Sequence, residues 1–203
     1  MENLTQMRRF RTLLLFLLAL PLAAQDSHVL KESAGVRLDR HAQLAENLTP
    51  PPQKPNVHVV VTRRGKTVLD YWTHNLRTNG GTDMQAAQMA TTGSQPAACN
   101  YGALSNDSAS PAAGDCAAGA TSCTLASEIV TNGLARAQMS YAHTSGTNVI
   151  TLTYTWTATG AQAAQKAGLF NAASSGVMCL EFAFPQRSLQ TGDTLQLTWT
   201  ENI

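Results

Sequence analysis

The sequence predicts an all-β fold: an antiparallel β-sandwich, jelly-roll or immunoglobulin-like, with one short helix and an extended N-terminal arm. First, residues 149–157 and 194–200 alternate apolar residues with threonine or another polar residue. Successive side chains on a strand point to opposite faces, so each segment has one apolar and one hydroxyl-bearing face. Second, glycine-containing turns separate the apolar segments of the C-terminal half. Third, only 13% of residues are charged, about half the usual share.

The first 24 residues have the layout of a secretory signal peptide. Basic residues in 7–12 precede a 12-residue apolar run, 13–24, that ends in small residues. A run of this length is too short to span a bilayer comfortably, so we expect no stable membrane span. Cleavage after Ala24 is the first interpretation, and an uncleaved anchor or a misassigned start codon are the alternatives. Residues 25–55 then form a polar, Pro-rich linker.

Residues 56–203 are predicted to form a single β-sandwich domain. It opens with a β-hairpin, strands 57–62 and 67–73, around a four-residue loop that contains Gly65. Thr82 and Asp83 resemble a helix cap, so a short helix is expected over 82–90. The remaining expected elements are a strand at 97–104, a surface loop at 105–122, a single helical turn at 125–132, and strands at 134–143, 148–158, 167–171, 177–184 and 194–201.

The four cysteines, Cys99, Cys116, Cys123 and Cys179, allow three pairings. Cys116 and Cys123 lie in the same Gly/Ala/Ser-rich loop and are the candidate disulfide. Cys179 lies within a predicted strand and is equally well explained as a small packed residue.

Catalytic, cofactor and metal sites are not predicted, and we expect the protein not to be an enzyme. The five histidines are scattered, without metal-ligand spacing, and no nucleophile–base pair is apparent. His58 alternates with a valine stripe and is expected on the solvated face. The basic residues of 63–66 are interpreted as a solvated hairpin tip. The alternation places Trp156 and Trp199 in the core, so a sugar-stacking platform of tryptophans is not favoured.

The charge distribution argues against a nucleic-acid partner. The formal net charge is +1, and residues 91–203 carry 3 Lys/Arg against 6 Asp/Glu. A nucleic-acid surface normally carries a basic patch, which this acidic half lacks.

Three stretches, residues 133–137, 166–176 and 191–200, together resemble a β-sandwich of tailed-phage and prophage structural proteins. Those proteins carry an A-G-L-F-(N/D)-A-A-x-x-G turn and a final G-D-x-L-x-(I/L)-T-W-T strand, and the resemblance covers about residues 56–203. It implies a non-enzymatic structural protein of a phage or prophage particle, tail or tail-fibre-like. Such a protein is part of the virion, is assembled in the host cytoplasm, and associates with itself and with other virion proteins.

The turn residues within these stretches have physical roles of their own. Gly168 is expected to let the backbone pass close to a neighbour. Asn171 and Gly176 bound a turn in which glycine supplies a positive φ, and Gly192 with Asp193 turns the chain into the last strand.

The leader conflicts with cytoplasmic virion assembly and supports an alternative. In this alternative the chain is a secreted or periplasmic surface binding module, such as an adhesin or a carbohydrate-binding sandwich, with a glycan or cell-surface ligand.

Overall fold

The computed structural model describes residues 56–90 and 93–202. The predicted leader, 1–24, and linker, 25–55, lie outside the described residues. Within the described residues the elements are, in chain order, β1 (Val57–Arg63), β2 (Lys66–Thr73), β3 (Leu76–Arg77), α1 (Asn79–Ala90), β4 (Tyr101–Ser105), a 3₁₀ turn (Ala113–Asp115), β5 (Ala137–Gln138), β6 (Ser140–His143), β7 (Val149–Thr157), β8 (Gln162–Phe170), β9 (Met178–Leu189) and β10 (Thr194–Asn202).

The ten described strands form two antiparallel sheets of five strands each. Sheet A has the order β2-β1-β10-β7-β6, and sheet B has the order β3-β9-β8-β4-β5. The all-β prediction with one helix is therefore confirmed, while its jelly-roll or immunoglobulin-like type stays a prediction.

The core lies between the two sheets and follows the alternation of the sequence. Leu195, Leu197 and Trp199 of β10 are fully buried and face sheet B. There the ring of Trp199 meets Phe182 of β9 edge-on, with 5.2 Å between ring centroids. Each such aromatic side chain buries a large apolar area, which makes this contact between the sheets a main source of stability.

The outer faces of the two sheets differ. Sheet A presents its threonines outward, as the pattern predicts, and most of them are partly or fully exposed. The outer face of sheet B is instead covered by the long segment 106–133. Two backbone bonds attach this segment, from Ile129 N to Leu104 O at 2.8 Å and from Cys123 N to Gly176 O at 2.7 Å. The predicted surface loop is therefore a fixed cover over a sheet.

Helix α1 begins three residues before the predicted start. The hydroxyl of Thr78 accepts a hydrogen bond from Gly81 N at 3.0 Å and caps the helix, in place of the expected Thr82 and Asp83. A Cβ on Gly81 would lie 2.2 Å from the carbonyl oxygen of Cys179. A Cβ on Gly80 would lie 2.6 Å from Cys116 Sγ. The two glycines that reduce helix propensity are thus required by close packing, of Gly81 on β9 and of Gly80 on Cys116.

Three further predictions were wrong. The strand expected over 134–143 is divided at Met139 into β5 of sheet B and β6 of sheet A. The helical turn expected over 125–132 is not helical, and its apolar residues Leu125 and Ile129 are buried. The hairpin loop is also shorter than predicted. It contains only Arg64 and Gly65, whose φ values of +50° and +76° are those of a type I′ turn.

Candidate functional site

The first and second stretches of the phage-like motif meet around Arg136. Its guanidinium donates to both carboxylate oxygens of Glu128, at 3.0 and 2.7 Å, and to the carbonyls of Ala172 and Ser175. The same group lies 3.6 Å above the ring of Phe170. Arg136 therefore fixes the β8–β9 turn to the segment that precedes β5.

The predicted turn residues take the following positions. Asn171 closes the β8–β9 turn, because its side-chain oxygen accepts from Val177 N at 2.8 Å, and Gly176 has φ +77°. A Cβ on Gly168 would lie 2.9 Å from the sulfur of Met178, so the close approach expected there is present. These contacts are structural, and none of them creates a reactive group.

Gly192 and Asp193 form the β9–β10 turn, with φ +87° at Gly192. The Asp193 carboxylate accepts from Arg63 Nε and Nη2 at 2.9 and 2.7 Å and from Gln190 N at 2.8 Å. The hydrogen bonds from Arg63 hold the pKa of Asp193 below its usual range. Arg63, whose side chain stays 41% exposed, therefore pairs with the buried Asp193 carboxylate, and Arg64 and Lys66 remain as the unpaired, exposed part of the predicted solvated hairpin tip.

All four cysteines are paired. The structure forms the candidate disulfide Cys116–Cys123 and a second one, Cys99–Cys179, with Cα separations of 5.4 and 6.4 Å. Cys179 is thus a bridge partner, and the packed-residue interpretation does not hold. Met84 of α1 lies against this second bridge, with its sulfur 3.8 Å from Cys99 Sγ and 3.7 Å from Cys179 Sγ.

A groove of about 540 Å³ opens between the two sheets, at the end where β7 begins and β10 ends. Its floor is apolar and includes Leu152, Leu169, Leu180 and the Cys99–Cys179 bridge. Amide and charged side chains form its rim: Arg77, Gln85, Gln88, Asn100, Glu201 and Asn202. An apolar interior with a few convergent polar groups is typical of small-molecule sites.

Glu201 is the carboxylate of this rim, and it faces the space between the sheets. Its Oε1 accepts from Asn75 Nδ2 at 2.5 Å and from Asn56 Nδ2 at 2.9 Å, and its Oε2 lies 3.6 Å from Arg77 Nη2. Burial raises the pKa of Glu201, while the bond from Asn75 and the charge of Arg77 oppose that shift. The sequence signal was present, since Glu201 continues the inward series Leu195, Leu197 and Trp199.

Another candidate surface is the edge of sheet A, which is formed by β2. Among the described residues no strand pairs with the outer side of β2. Trp72 is 53% exposed and Val68 43% exposed on this strand. The Trp72 ring stacks on His58 at 4.1 Å between centroids, and His58 Nε2 lies 2.8 Å from Asp70 Oδ1.

The cross-strand group of Trp72, His58 and Asp70 was missed by sequence reasoning, which placed His58 on the solvated face without a partner. The hairpin register would have revealed it, because His58 lies directly opposite Trp72 on β2. Among the described residues, no group of three or more His, Cys, Asp or Glu side chains is arranged to hold a metal ion. No helix in the described part of the chain is long and apolar enough to cross a membrane.

Comparison with known proteins returned no matching family model, no matching curated protein and no matching solved structure. The resemblance to phage structural proteins therefore stays a prediction.

Proposed function

We propose that this chain is a non-enzymatic structural protein of a phage or prophage particle, tail or tail-fibre-like, whose β-sandwich associates with a second copy through β2. The observation that carries the proposal is the open edge at β2, with its exposed Trp72. An edge strand offers unpaired backbone groups to another strand, and exposed apolar side chains add buried area when pairing occurs.

The sheet order favours an isologous contact. Strands of sheet A alternate in direction, so β2 and β6, at opposite edges, run the same way. A twofold axis perpendicular to the sheet pairs β2 with β2 of the second copy in antiparallel fashion, whereas joining β2 to β6 with the cores of both copies on the same side requires parallel pairing. Closed twofold contacts are the commonest form of self-association, and antiparallel pairs are slightly more stable per residue.

Charge selects a register for this contact. A register centred on Asp70 opposes two carboxylates, which is unfavourable. A register centred on Tyr71 places Asp70 opposite Trp72 of the second copy and opposes no like charges. Val68, which lies at an irregularity of the β1–β2 register, falls outside that paired segment. We therefore expect the segment around Tyr71 to form the contact.

The phage-like stretches give the second line of support. Their residues make the β8–β9 and β9–β10 turns, which rigidify the two sheets without forming a reactive site. A rigid sandwich with an open strand edge at β2 is suited to assembly.

The test is a charge exchange across the proposed contact. The purified chain is sized by light scattering, as wild type, as Trp72→Glu, and as Trp72→Glu with Asp70→Lys. We expect a dimer for the wild type. Trp72→Glu should dissociate it because the new carboxylate faces Asp70 of the second copy. The double variant should restore it because opposite charges then face each other.

Tyr141→Glu is the matched control, because Tyr141 is exposed on β6 at the other edge of sheet A. It should leave the dimer intact. A monomeric wild type at high concentration, or dissociation by Tyr141→Glu alone, would contradict the proposed β2 contact.

A second candidate function, an exported surface binding module, is favoured by the two disulfides. Disulfides persist in oxidising compartments and are rare in the cytosol, where virions assemble. The groove beside Glu201 offers such a module a ligand site with an apolar floor and a polar rim.

N-terminal sequencing and thiol labelling of the native protein separate the two candidates. Export predicts a mature start near Gln25 and four cysteines that react with alkylating agent only after reduction. Assembly in the cytoplasm predicts thiols that react without reduction and no start at Gln25.

A further inference from the structure

An ion pair with a buried lysine joins sheet B to the segment that covers it. Lys166 on β8 is only 2% exposed, and its Nζ lies 2.6 Å from Asp107 Oδ2. Asp107 follows β4 and is held in place, because its backbone N donates to Ser105 Oγ at 2.8 Å and its Oδ1 accepts from Ala109 N at 3.2 Å. Lysine is almost never this deeply buried unless it is paired.

A second carboxyl group shares the face of Lys166. On the paired strands β8 and β9, Lys166 lies opposite Ala183 and Glu181 lies opposite Gly168. Glu181 is therefore the diagonal neighbour of Lys166, within reach of a long side chain. Glu181 is 1% exposed; its Oε1 accepts from Ala112 N at 2.9 Å, and its carboxyl group lies against that of Asp115.

The protonation of Glu181 is poised near neutrality. Burial, together with the neighbouring Asp115, raises its pKa to about 7, against the opposing effects of the Ala112 amide and the Lys166 charge. A carboxyl group with such a pKa both accepts and releases a proton under ordinary conditions.

We propose that Lys166 and Asp107 condense to an intramolecular isopeptide bond, with Glu181 relaying the proton. The Lys166 amine, after losing one proton, attacks Asp107 Cγ with its lone pair. A new Nζ–Cγ bond forms and one Cγ–O bond breaks. The departing oxygen leaves with two protons as water, so the reaction needs neither an oxidant nor a co-reactant.

The site provides two things that an amine and a carboxylate in water do not have: fixed contact between the reacting groups and a neighbouring group that can transfer a proton. The two reacting groups are already in contact, and fixed contact replaces a very high concentration of the partner. The pair is ionic at the start, since the hydrogen bond from Lys166 lowers the pKa of Asp107. The amine must therefore lose a proton and the carboxylate gain one, and Glu181, the diagonal neighbour of Lys166 with a pKa of about 7, is the group placed to transfer it.

The proposed isopeptide bond differs from the disulfides in its resistance to reduction. It joins residues 59 apart in sequence and attaches the covering segment to β8. Unlike the two disulfides, it is not broken in a reducing cytosol.

The experiment is mass spectrometry of the full chain, reduced and alkylated so that disulfides make no contribution. We expect the intact mass to be lower by one water molecule than the sequence requires. In a tryptic digest, residues 78–136 should remain joined to 137–187, with no cleavage after Lys166. An unlinked Lys166 instead gives separate peptides 137–166 and 167–187.

Three variants separate the bond from the ion pair. Lys166→Arg keeps the charge but cannot form the amide, so its intact mass should equal the mass that its sequence requires. Glu181→Gln keeps the shape but cannot relay a proton and should leave the mass full, whereas Glu181→Asp should restore at least part of the water loss. Circular dichroism reports whether each variant is folded.

Full mass and complete cleavage after Lys166 in the folded wild type would overturn the proposal. Water loss that persists in folded Glu181→Gln would overturn the role of Glu181.

Discussion

Arg136 illustrates how one side chain organises a turn that the sequence marks only by its glycine and small residues. The 171–176 turn is predictable from Asn171 and Gly176, but its attachment to the segment before β5 is not. That attachment depends on Arg136, which lies 36 positions from Ala172. Its side chain is 8% exposed and pairs with Glu128. Contacts over such distances leave no periodic signal in the sequence.

Replacement of Arg136 by methionine is expected to lower the free energy of unfolding by about 3 kcal/mol, because it leaves the Glu128 carboxylate and two turn carbonyls without their donor. Urea unfolding followed by tryptophan fluorescence measures the change. Lys66→Met is the control, since Lys66 is exposed at the hairpin, and it should change stability by less than about 0.5 kcal/mol. Equal effects of the two substitutions would contradict the role given to Arg136.

Glu181 makes stability depend on pH in a defined direction. Its pKa rises from 4.5 to about 7 on folding, so the folded state favours the protonated form. The stability linked to this group is fully present below pH 4.5 and is lost as the pH rises through 7. The shift corresponds to about 3 kcal/mol.

The urea midpoints of the wild type and Glu181→Gln should therefore be compared at pH 5 and pH 8. The wild type should lose stability relative to the variant as the pH increases. The difference isolates Glu181 when both proteins also carry Lys166→Arg, which cannot form the isopeptide bond, because Asp107 and Asp115 nearby and the histidines elsewhere are then common to both proteins. A constant difference between the two proteins would contradict the buried, neutral carboxyl.

At the scale of elements, the sequence predicted most strands of sheet A because their alternation is local. The sequence-based prediction failed where contacts with a neighbouring strand determine the local structure. The chain leaves sheet B for sheet A at Met139, whose backbone N donates to Asn100 O at 2.8 Å. The amino-acid pattern of residues 134–143 does not indicate this change of sheet. Likewise, α1 has glycine at position 81 because β9 lies too close there for any side chain.

The two disulfides should differ in their contribution to stability. Cys99–Cys179 closes a separation of 80 residues and Cys116–Cys123 one of 7. Loop-closure entropy then gives about 4.5 kcal/mol for the first and about 2.5 kcal/mol for the second. Denaturant unfolding of the Cys99→Ala/Cys179→Ala and Cys116→Ala/Cys123→Ala variants tests the order, and a larger loss from the short loop would reverse it.

At the scale of the whole molecule, the two sheets have different surroundings. Sheet B is covered by residues 106–133, which bury Lys166 and Glu181, while sheet A exposes its threonine face and the β2 edge. The sequence predicted the threonine face. It did not predict the buried charges, because a charged residue on the polar face of a strand normally indicates solvent, and the cover comes from a distant segment.

The candidate sites, like the fold, were predictable only where local sequence determines them. The turn residues and Cys116–Cys123 follow from local composition. The groove beside Glu201 requires the ends of both sheets and α1, and the exposed edge requires knowing which strand of sheet A is last. Both depend on strand order, which the alternation of side chains does not encode.

The central claim is that the β2 edge pairs with a second copy, and amide hydrogen exchange of the wild-type chain tests it most directly. At concentrations where light scattering shows the dimer, the outward amides of β2 around Tyr71 should exchange as slowly as those of β1. On dilution, or in Trp72→Glu, they should exchange rapidly while those of β1 stay protected. Rapid exchange along β2 in the assembled protein would contradict the claim.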